Sequence, residues 1–192
     1  MGQTRRKEPT TEKEAQDLKS FLEKGAATAI EEIDQFQGLA GVTAALDKPV
    51  SVPFRVELPE LSKRIQEAED NQVFLTISVD RVEAAGESMV HVFVNKDDAN
   101  AKTPLSDSHY VGSFAFFCQR INPRSFTCEL ENGEKTELQF RFNVTAALRR
   151  SEDKGPPRAT FVVVPIDGRQ PKSASVSVSA TELRLAKSVV RR

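Results

Sequence analysis

Residues 73–79 read VFLTISV, with an aliphatic side chain at every second position. Successive side chains of a β-strand point to opposite faces, so this pattern predicts a half-buried strand. Similar apolar alternation, or a short apolar run, marks further segments of the chain. These predicted strands lie around residues 50–58, 90–94, 111–118, 138–144, 161–164 and 176–185.

Clusters of turn-forming residues separate the predicted strands. They occur at residues 95–108, 131–134, 155–157 and 167–168, and they contain the Gly, Pro, Asn and Asp residues that favour tight turns. Short strands at such intervals are typical of an antiparallel architecture. We therefore predict a mainly β fold, an antiparallel β-sandwich of about seven or eight strands. Three prolines place the 50–58 strand at a sheet edge, and the apolar run at 111–118 indicates a central strand.

The first 38 residues have a different pattern. Thr11 and Glu14 have the spacing of a capping box, and an apolar residue recurs every three or four positions up to Phe36. The pattern predicts an N-terminal amphipathic α-helix that ends at Gly38. Its stripe could pack on its own domain, dock on a partner, or pair with a second copy of the chain. We predict three regions: a helical appendage (1–38), a β-sandwich (39–187) and a basic tail (188–192).

Composition excludes several classes of protein. The chain has 192 residues, 27 basic and 28 acidic, so nothing in its net charge of -1 favours a nucleic-acid partner. No segment approaches the roughly 20 apolar residues of a membrane-spanning helix. We find no secretory or twin-arginine signal at the start, so we expect a cytoplasmic protein that does not contact a membrane.

Residues that could carry chemistry are few and scattered. The two histidines, His91 and His109, are far apart in sequence, and we expect His91 to face solvent or a polar layer. Cys118 and Cys128 lack the spacing of a zinc site. An acidic loop could hold calcium, but it lacks the EF-hand pattern, so a solvated turn is favoured. We predict no catalytic, cofactor-binding or metal-binding residue. The acidic loop contains Asp97, Asp98 and Asp107.

Four segments together resemble a known family. They are VHVFVN at 90–95, DSHYVGSFAFF at 107–117, FNVTAAL at 142–148 and ATFVVVP at 159–165. In order and spacing they are similar to the C-terminal domain of tyrosinases and polyphenol oxidases, over roughly residues 40 to 186. The resemblance implies a sandwich that packs over a copper-bearing helical bundle and, in latent enzymes, covers the substrate entrance with a bulky side chain.

The resemblance also implies what this chain lacks. The dicopper site of the family needs six histidines, and this chain has two. We therefore expect the covering domain alone, acting on a tyrosinase-like copper oxidase subunit. Leu105, in the loop before His109, is the side chain expected to block the entrance. Other candidate partner contacts are His109 and Tyr110 in the sandwich and Leu18, Leu22 and Ile33 on the predicted helix.

Two classes of function remain open at this point. The leading hypothesis is a non-catalytic accessory domain that docks on a type 3 copper partner to shield, stabilise or regulate its active site. The alternative is a stand-alone β-sandwich that binds a small ligand or carbohydrate through the acidic loop. Copper delivery is poorly supported by two histidines and two methionines, and an enzyme is the least favoured class.

Overall fold

The computed structural model describes residues 28–84, 88–116, 120–122, 125–126, 138–151, 155–166 and 173–190. These residues form eleven strands and two helices. The helices are α1 (Leu58–Gln66) and α2 (Thr145–Arg150). The strands are β1 (Thr28–Gln37), β2 (Val42–Ala45), β3 (Val50–Pro53), β4 (Asn71–Ala84), β5 (Ser88–Val94), β6 (Tyr110–Phe116), β7 (Arg120–Asn122), β8 (Ser125–Phe126), β9 (Leu138–Asn143), β10 (Arg158–Pro165) and β11 (Ala174–Val190).

Two antiparallel sheets make up most of the fold. The five-stranded sheet has the order β1-β11-β4-β9, with β2 also paired to β11, and the four-stranded sheet has the order β3-β10-β5-β6. Strands β7 and β8 form a separate small pair. The mainly β prediction is confirmed, whereas the predicted count of seven or eight strands is not, because eleven are described.

One apolar core joins the two sheets. Leu75 and Ile77 of β4 and Val92 and Phe161 of the other sheet are completely buried in the same cluster. The alternation in the sequence produces this arrangement, because every second residue of each strand faces the opposite sheet. Two sheets that share a core in this way are consistent with the predicted sandwich.

The chain divides into two compact units. The larger unit comprises Glu32–Lys187 and contains the core. The smaller unit comprises Met1–Glu31 with Ser188–Arg192, of which the structure describes only the beginning of β1 and the end of β11.

The predicted N-terminal helix is wrong over Thr28–Gln37, which is strand β1. Exposure alternates along its end: Asp34 and Phe36 are half-buried, and Gln35 and Gln37 are exposed. Pairing with β11 satisfies the backbone groups of this segment and outweighs its modest helical propensity. The rest of the predicted helix, including Leu18 and Leu22, lies outside the described residues, and so does any pairing of copies through it.

Helix α1 was not predicted: the predicted 50–58 strand reaches only its first residue, Leu58, and residues 59–66 were assigned to no element. Pro59 stands in its first turn, where a missing N–H costs nothing. Leu58, Leu61 and Ile65 are completely or almost completely buried at helical spacing. The strand itself ends at Pro53, and β3 lies at the end of its sheet as the prolines predicted.

Strand β6 is not the central strand that its apolar sequence indicated. It lies at the end of the four-stranded sheet, where the structure describes β5 as its one neighbour. Phe114 of this strand enters the core, while Tyr110 at its start packs on the outer face of the sheet. Helix α2 follows β9 directly and buries Thr145, Ala147 and Leu148.

Candidate partner-contact site

Residues 95–109 connect β5 to β6, and we call them the Leu105 loop. Two consecutive turns form its tip: the Thr103 amide donates to the Asn100 carbonyl (2.9 Å), and the Asp107 amide donates to the Pro104 carbonyl (3.0 Å). Pro, Asn and Asp favour these turns because they restrict the backbone or bond to it. The loop is therefore folded by its own sequence.

Asn100 organises the first turn. Its amide donates to Thr103 Oγ1 (2.9 Å), and its side-chain carbonyl accepts from the Lys102 amide (2.9 Å). Its side-chain nitrogen donates to the Asp98 carbonyl (3.0 Å). Side-chain bonds of this kind hold the backbone in one conformation.

Lys96 ties the two ends of the tip together. Its ammonium lies 2.9 Å from the Asp98 carboxylate and 3.8 Å from the Asp107 carboxylate. The hydrogen bond to Asp98 raises the pKa of Lys96, and the same bond lowers the pKa of Asp98. Asp107 also accepts from the His109 amide (2.9 Å). The tip is thus closed by one shared cation.

The acidic residues of the loop are all engaged. Asp97 forms an ion pair with Arg158 and accepts a hydrogen bond from Ser51 Oγ (2.6 Å), while Asp98 and Asp107 face Lys96. Within the part of the chain that the structure describes, no group of three or more His, Cys, Asp or Glu side chains could hold a metal ion. The acids stabilise the loop by pairing with cations.

Asn95 fixes the point where the loop leaves β5. Its φ of 53° is left-handed, a conformation that Asn adopts more readily than most residues. The Asn95 side chain accepts from the Arg158 amide (2.8 Å) and donates to Ser151 Oγ (2.8 Å), and its own amide donates to the Arg158 carbonyl (2.9 Å). One residue therefore joins β5, β10 and the end of α2.

A second apolar cluster supports the loop on the outer face of the four-stranded sheet. Ala99 of the loop is 1% exposed and packs with Phe93, Val162 and Val164, and Tyr110 lies against the same cluster. The rings of Phe93 and Tyr110 have centroids 5.5 Å apart. Apolar burial here anchors the base of the loop to rigid strands.

His91 is buried beside this cluster, so of the two expected environments, solvent or a polar layer, the structure shows the polar layer. Its Nδ1 lies 2.6 Å from Ser113 Oγ, which lies 2.6 Å from the Tyr110 hydroxyl. The neighbouring strand β6 supplies the groups that surround it, since the rings of His91 and Tyr110 also have centroids 6.0 Å apart. Burial lowers the pKa of His91, because desolvation disfavours the imidazolium.

The buried imidazole predicts a pH dependence of stability. Above about pH 6.5 the imidazole is neutral in both the folded and the unfolded chain. Below that pH the unfolded chain binds the proton first, because the pKa of His91 is lower in the folded chain. The free energy of unfolding should therefore fall as pH drops below 6.5, by up to about 1.4 kcal/mol per pH unit. Urea unfolding of wild type and His91→Gln between pH 5 and 8 measures this.

The control for that experiment is His109→Gln, which should keep the fall in stability below pH 6.5. Wild type and His91→Gln should converge in stability as the pH decreases, because only wild type loses the contribution of the neutral imidazole. If the free energies of unfolding of wild type and His91→Gln fall in parallel as the pH decreases, the pH dependence does not come from His91.

A groove of about 920 Å³ borders the same region. His91 and Ala101 line one side, and Leu46, Val164 and Pro165 contribute apolar surface. A mixture of apolar walls and a few polar groups suits a small ligand, the alternative function. The acidic loop proposed earlier for that function does not contribute to this groove with any of its three aspartates.

The predicted contact residues separate into three groups. Leu105 is 51% exposed at the tip of the loop, a high value for a large apolar side chain. His109 and Tyr110 are half-buried and engaged within the chain, His109 through a bond from Nδ1 to the Val94 carbonyl (2.8 Å). Ile33 is 45% exposed on β1, outside this loop. Leu105 is therefore the contact that the loop presents.

Sequence reasoning missed the residues that shape the loop. Lys96 and Asn100 carry no catalytic motif, and only their contacts show what they do. The spacing of Asn100 and Pro104, each at the start of a turn, was the available signal.

Comparison with protein families identifies the domain. The model of the family described as Chloroplastic Polyphenol Oxidase C-terminal domain matches residues 42–185. The match covers most of the chain, so the chain belongs to this family. It confirms the resemblance inferred from the strand and loop motifs. A search of the curated proteins gives no match.

Solved structures of latent aurone synthase, a polyphenol oxidase, are similar to the chain. The enzyme from its natural source is 17% identical (TM-score 0.44) over 80% of this chain. The recombinant enzyme is 16% identical (0.40) over 81%, and its form with hexatungstotellurate(VI), soaked in H2O2, is 18% identical (0.43) over 77%. The chain spans only 26–29% of the length of these proteins.

The family corrects the expected location. We expected a cytoplasmic protein, and this is wrong: the matching family is described as chloroplastic, which implies targeting to plastids. The expectation depended on a search for secretory signals, which do not direct proteins into plastids. Among the described helices, neither has the length and apolar character needed to cross a bilayer.

Proposed function

We propose that this chain is a non-catalytic accessory domain that docks on a tyrosinase-like, type 3 copper partner and shields its active site. The observation that carries the proposal is the Leu105 loop, which its own hydrogen bonds and ion pairs hold in place and which leaves the Leu105 side chain 51% exposed. Membership of a family of polyphenol oxidase C-terminal domains supplies the class of partner.

The construction of the loop supports a shielding role. A flexible loop would lose conformational entropy when Leu105 entered a pocket, and that loss would weaken binding. Here the Asn100 bonds, the Lys96 ion pairs and the buried Ala99 fix the loop beforehand. The loop therefore loses its conformational entropy when the chain folds and not when it binds, so Leu105 can act as a preorganised apolar anchor.

The chemistry of the chain supports a non-catalytic role. Two histidines cannot supply the ligands of a coupled dicopper site. Of these two, His91 is buried against Ser113 and His109 is bonded to the Val94 carbonyl. Catalysis would therefore reside in the partner.

A site-specific crosslink tests the proposal. A photoreactive phenylalanine replaces Leu105 in one sample and Leu39 in the other, since Leu39 is an equally exposed leucine (49%) outside the loop. Each protein is irradiated in extract of the native host. We expect a copper-containing, phenol-oxidising protein crosslinked through position 105 and not through position 39. Equal crosslinking from both positions, or none to a copper protein, would refute the proposal.

Leu105→Ser should weaken binding of the captured copper protein at least tenfold. Burying a leucine side chain is worth about 1.5–3 kcal/mol, and an anchor at the centre of an interface contributes most of its energy. Biolayer interferometry gives the dissociation constants. Leu39→Ser is the matched control and should bind as wild type does. Equal affinities of Leu105→Ser and Leu39→Ser for the copper protein would show that Leu105 does not contribute to the interface.

A further inference from the structure

The groove beside the Leu105 loop is lined by segments that backbone hydrogen bonds hold in place. Part of the lining is the turn after β2, where the Lys48 amide donates to the Ala45 carbonyl (3.0 Å) and the Leu46 amide donates to the Ala174 carbonyl of β11 (2.9 Å). Another part comes from His91 of β5 and from the end of β10, two strands that pair in the four-stranded sheet. A volume of about 920 Å³ is within the range of sites that hold small organic molecules.

His91 contributes a buried polar side chain to this lining. The residue is 9% exposed, and its Nδ1 lies 2.6 Å from Ser113 Oγ. The second ring nitrogen, Nε2, makes no hydrogen bond to any residue that the structure describes. In either neutral tautomer Nε2 can form one hydrogen bond, as a donor or as an acceptor, and a buried polar atom without a partner destabilises the protein. Because His91 lines the groove, a molecule bound there can supply the missing bond.

The rest of the lining determines which molecules fit. Val164 is buried, and Leu46 and Pro165 are half-buried, so these side chains offer apolar surface. No charged side chain is buried among the lining residues that the structure describes, and a ligand charge would therefore lose water without gaining a buried counter-ion. The lining thus favours an uncharged molecule. The charged side chains of the lining are all exposed: Asp47, Lys48 and Glu83.

We propose that the groove binds a small uncharged organic molecule, which packs an apolar body against Leu46 and Val164 and forms one hydrogen bond between an oxygen atom and Nε2 of His91. Such a ligand would displace water, provide a hydrogen bond for Nε2 and remove apolar surface of both molecules from solvent. Leu105 does not line the groove, so the inference goes beyond the proposed function and does not depend on it.

The fluorophore prodan tests the proposal, because it is an uncharged naphthalene with one ketone oxygen. Its emission moves to shorter wavelength when it leaves water. Titration of prodan with the full chain should give a saturable blue shift with one molecule bound per chain. The anionic fluorophore anilinonaphthalene sulfonate, which is of similar size, should bind about tenfold more weakly, because its charge finds no buried partner in the groove.

Substitutions in the lining locate the probe. Ala101 is exposed and lines the groove, so Ala101→Trp should fill it and weaken prodan binding about tenfold or more. The matched control is Ala40→Trp, at an exposed alanine outside the groove, which should bind prodan as wild type does. His91→Leu removes both ring nitrogens and should weaken binding about fivefold, the effect of one lost hydrogen bond.

Four results would overturn the inference: no saturable binding of prodan, equal affinities of wild type and Ala101→Trp, wild-type affinity in His91→Leu, or equally tight binding of the sulfonate. Circular dichroism shows whether His91→Leu folds. If it does not, the comparison of Ala101→Trp with Ala40→Trp still decides whether prodan occupies the groove. Leu105→Ser should bind prodan as wild type does, so a failure of the proposed docking leaves the ligand site unaffected.

Discussion

Gly112→Ala should lower the free energy of unfolding by about 2–4 kcal/mol, because a side chain at this position overpacks the core and strains the backbone. Gly112 lies in β6, within the motif Tyr-Val-Gly-Ser-Phe, opposite Val92 of β5. A Cβ atom there would lie 2.5 Å from Cε1 of Phe142 and 2.6 Å from its Cδ1. Atoms at that distance overlap, so the ring or the strand must move.

The backbone adds to this cost. Gly112 has a φ of 154°, which side chains rarely adopt, at a register shift where Val92 and Phe93 pair with Gly112 and Tyr110. An extra residue in one strand is a β-bulge, and bulges often require glycine. The bulge also sets the direction in which β6 leaves the Leu105 loop, so the substitution should disturb the loop as well.

Alanine substitutions at two other glycines separate the cost of overpacking from the cost of backbone strain. Gly41 has a φ of 71°, and nothing lies within 4 Å of the place that an alanine methyl would occupy, so Gly41→Ala should cost about 1 kcal/mol from backbone strain alone. Gly155 has neither problem, and Gly155→Ala should be neutral or stabilise by up to about 1 kcal/mol. Urea unfolding measures all three. A Gly112→Ala protein as stable as Gly155→Ala would show that the contact with Phe142 is wrong.

Asn95→Ala is the second large effect, with an expected loss of about 3 kcal/mol. The variant loses the side-chain bonds to the Arg158 amide and Ser151 Oγ, each worth about 1 kcal/mol, and it places alanine at a φ of 53°. The loss should extend to function, because Asn95 fixes the point where the Leu105 loop begins.

Asn95→Gly is the matched control. Glycine adopts the left-handed conformation without strain, so this variant should lose only the hydrogen bonds, about 1–2 kcal/mol. The difference between the two variants measures the strain. Thermal or urea unfolding gives both values, and hydrogen exchange at the amides of Ala99 and Thr103 reports on the loop. Equal stability of wild type and Asn95→Ala would contradict the account.

Patterns of buried side chains were predictable from the sequence. The strands β4, β5 and β10 follow from apolar alternation or apolar runs, because burial between sheets demands those residues at those positions. The motifs around the Leu105 loop also indicated its family, and the role of Leu105, predicted from its place in the loop before His109, stays a prediction.

Features that depend on distant partners were not predictable in this way. The segment Thr28–Gln37 has a helical period, yet pairing with β11 makes it a strand. Alternation assigns His91 to solvent or a polar layer, and its burial depends on contacts with Ser113 and Tyr110 of the neighbouring strand β6. Lys96 closes the loop by pairing with Asp107, eleven positions away, and no local sequence pattern indicates this contact.

Oxygen uptake by the copper partner tests the central claim most directly. The partner is supplied with a catechol, and this chain is added in increasing amounts, as wild type, Leu105→Ser or Leu39→Ser. The account predicts that wild type and Leu39→Ser suppress uptake to a plateau, and that Leu105→Ser needs at least tenfold more protein for the same effect. Uptake that is unchanged by saturating wild-type chain, or suppressed equally by all three, would contradict shielding by the Leu105 loop.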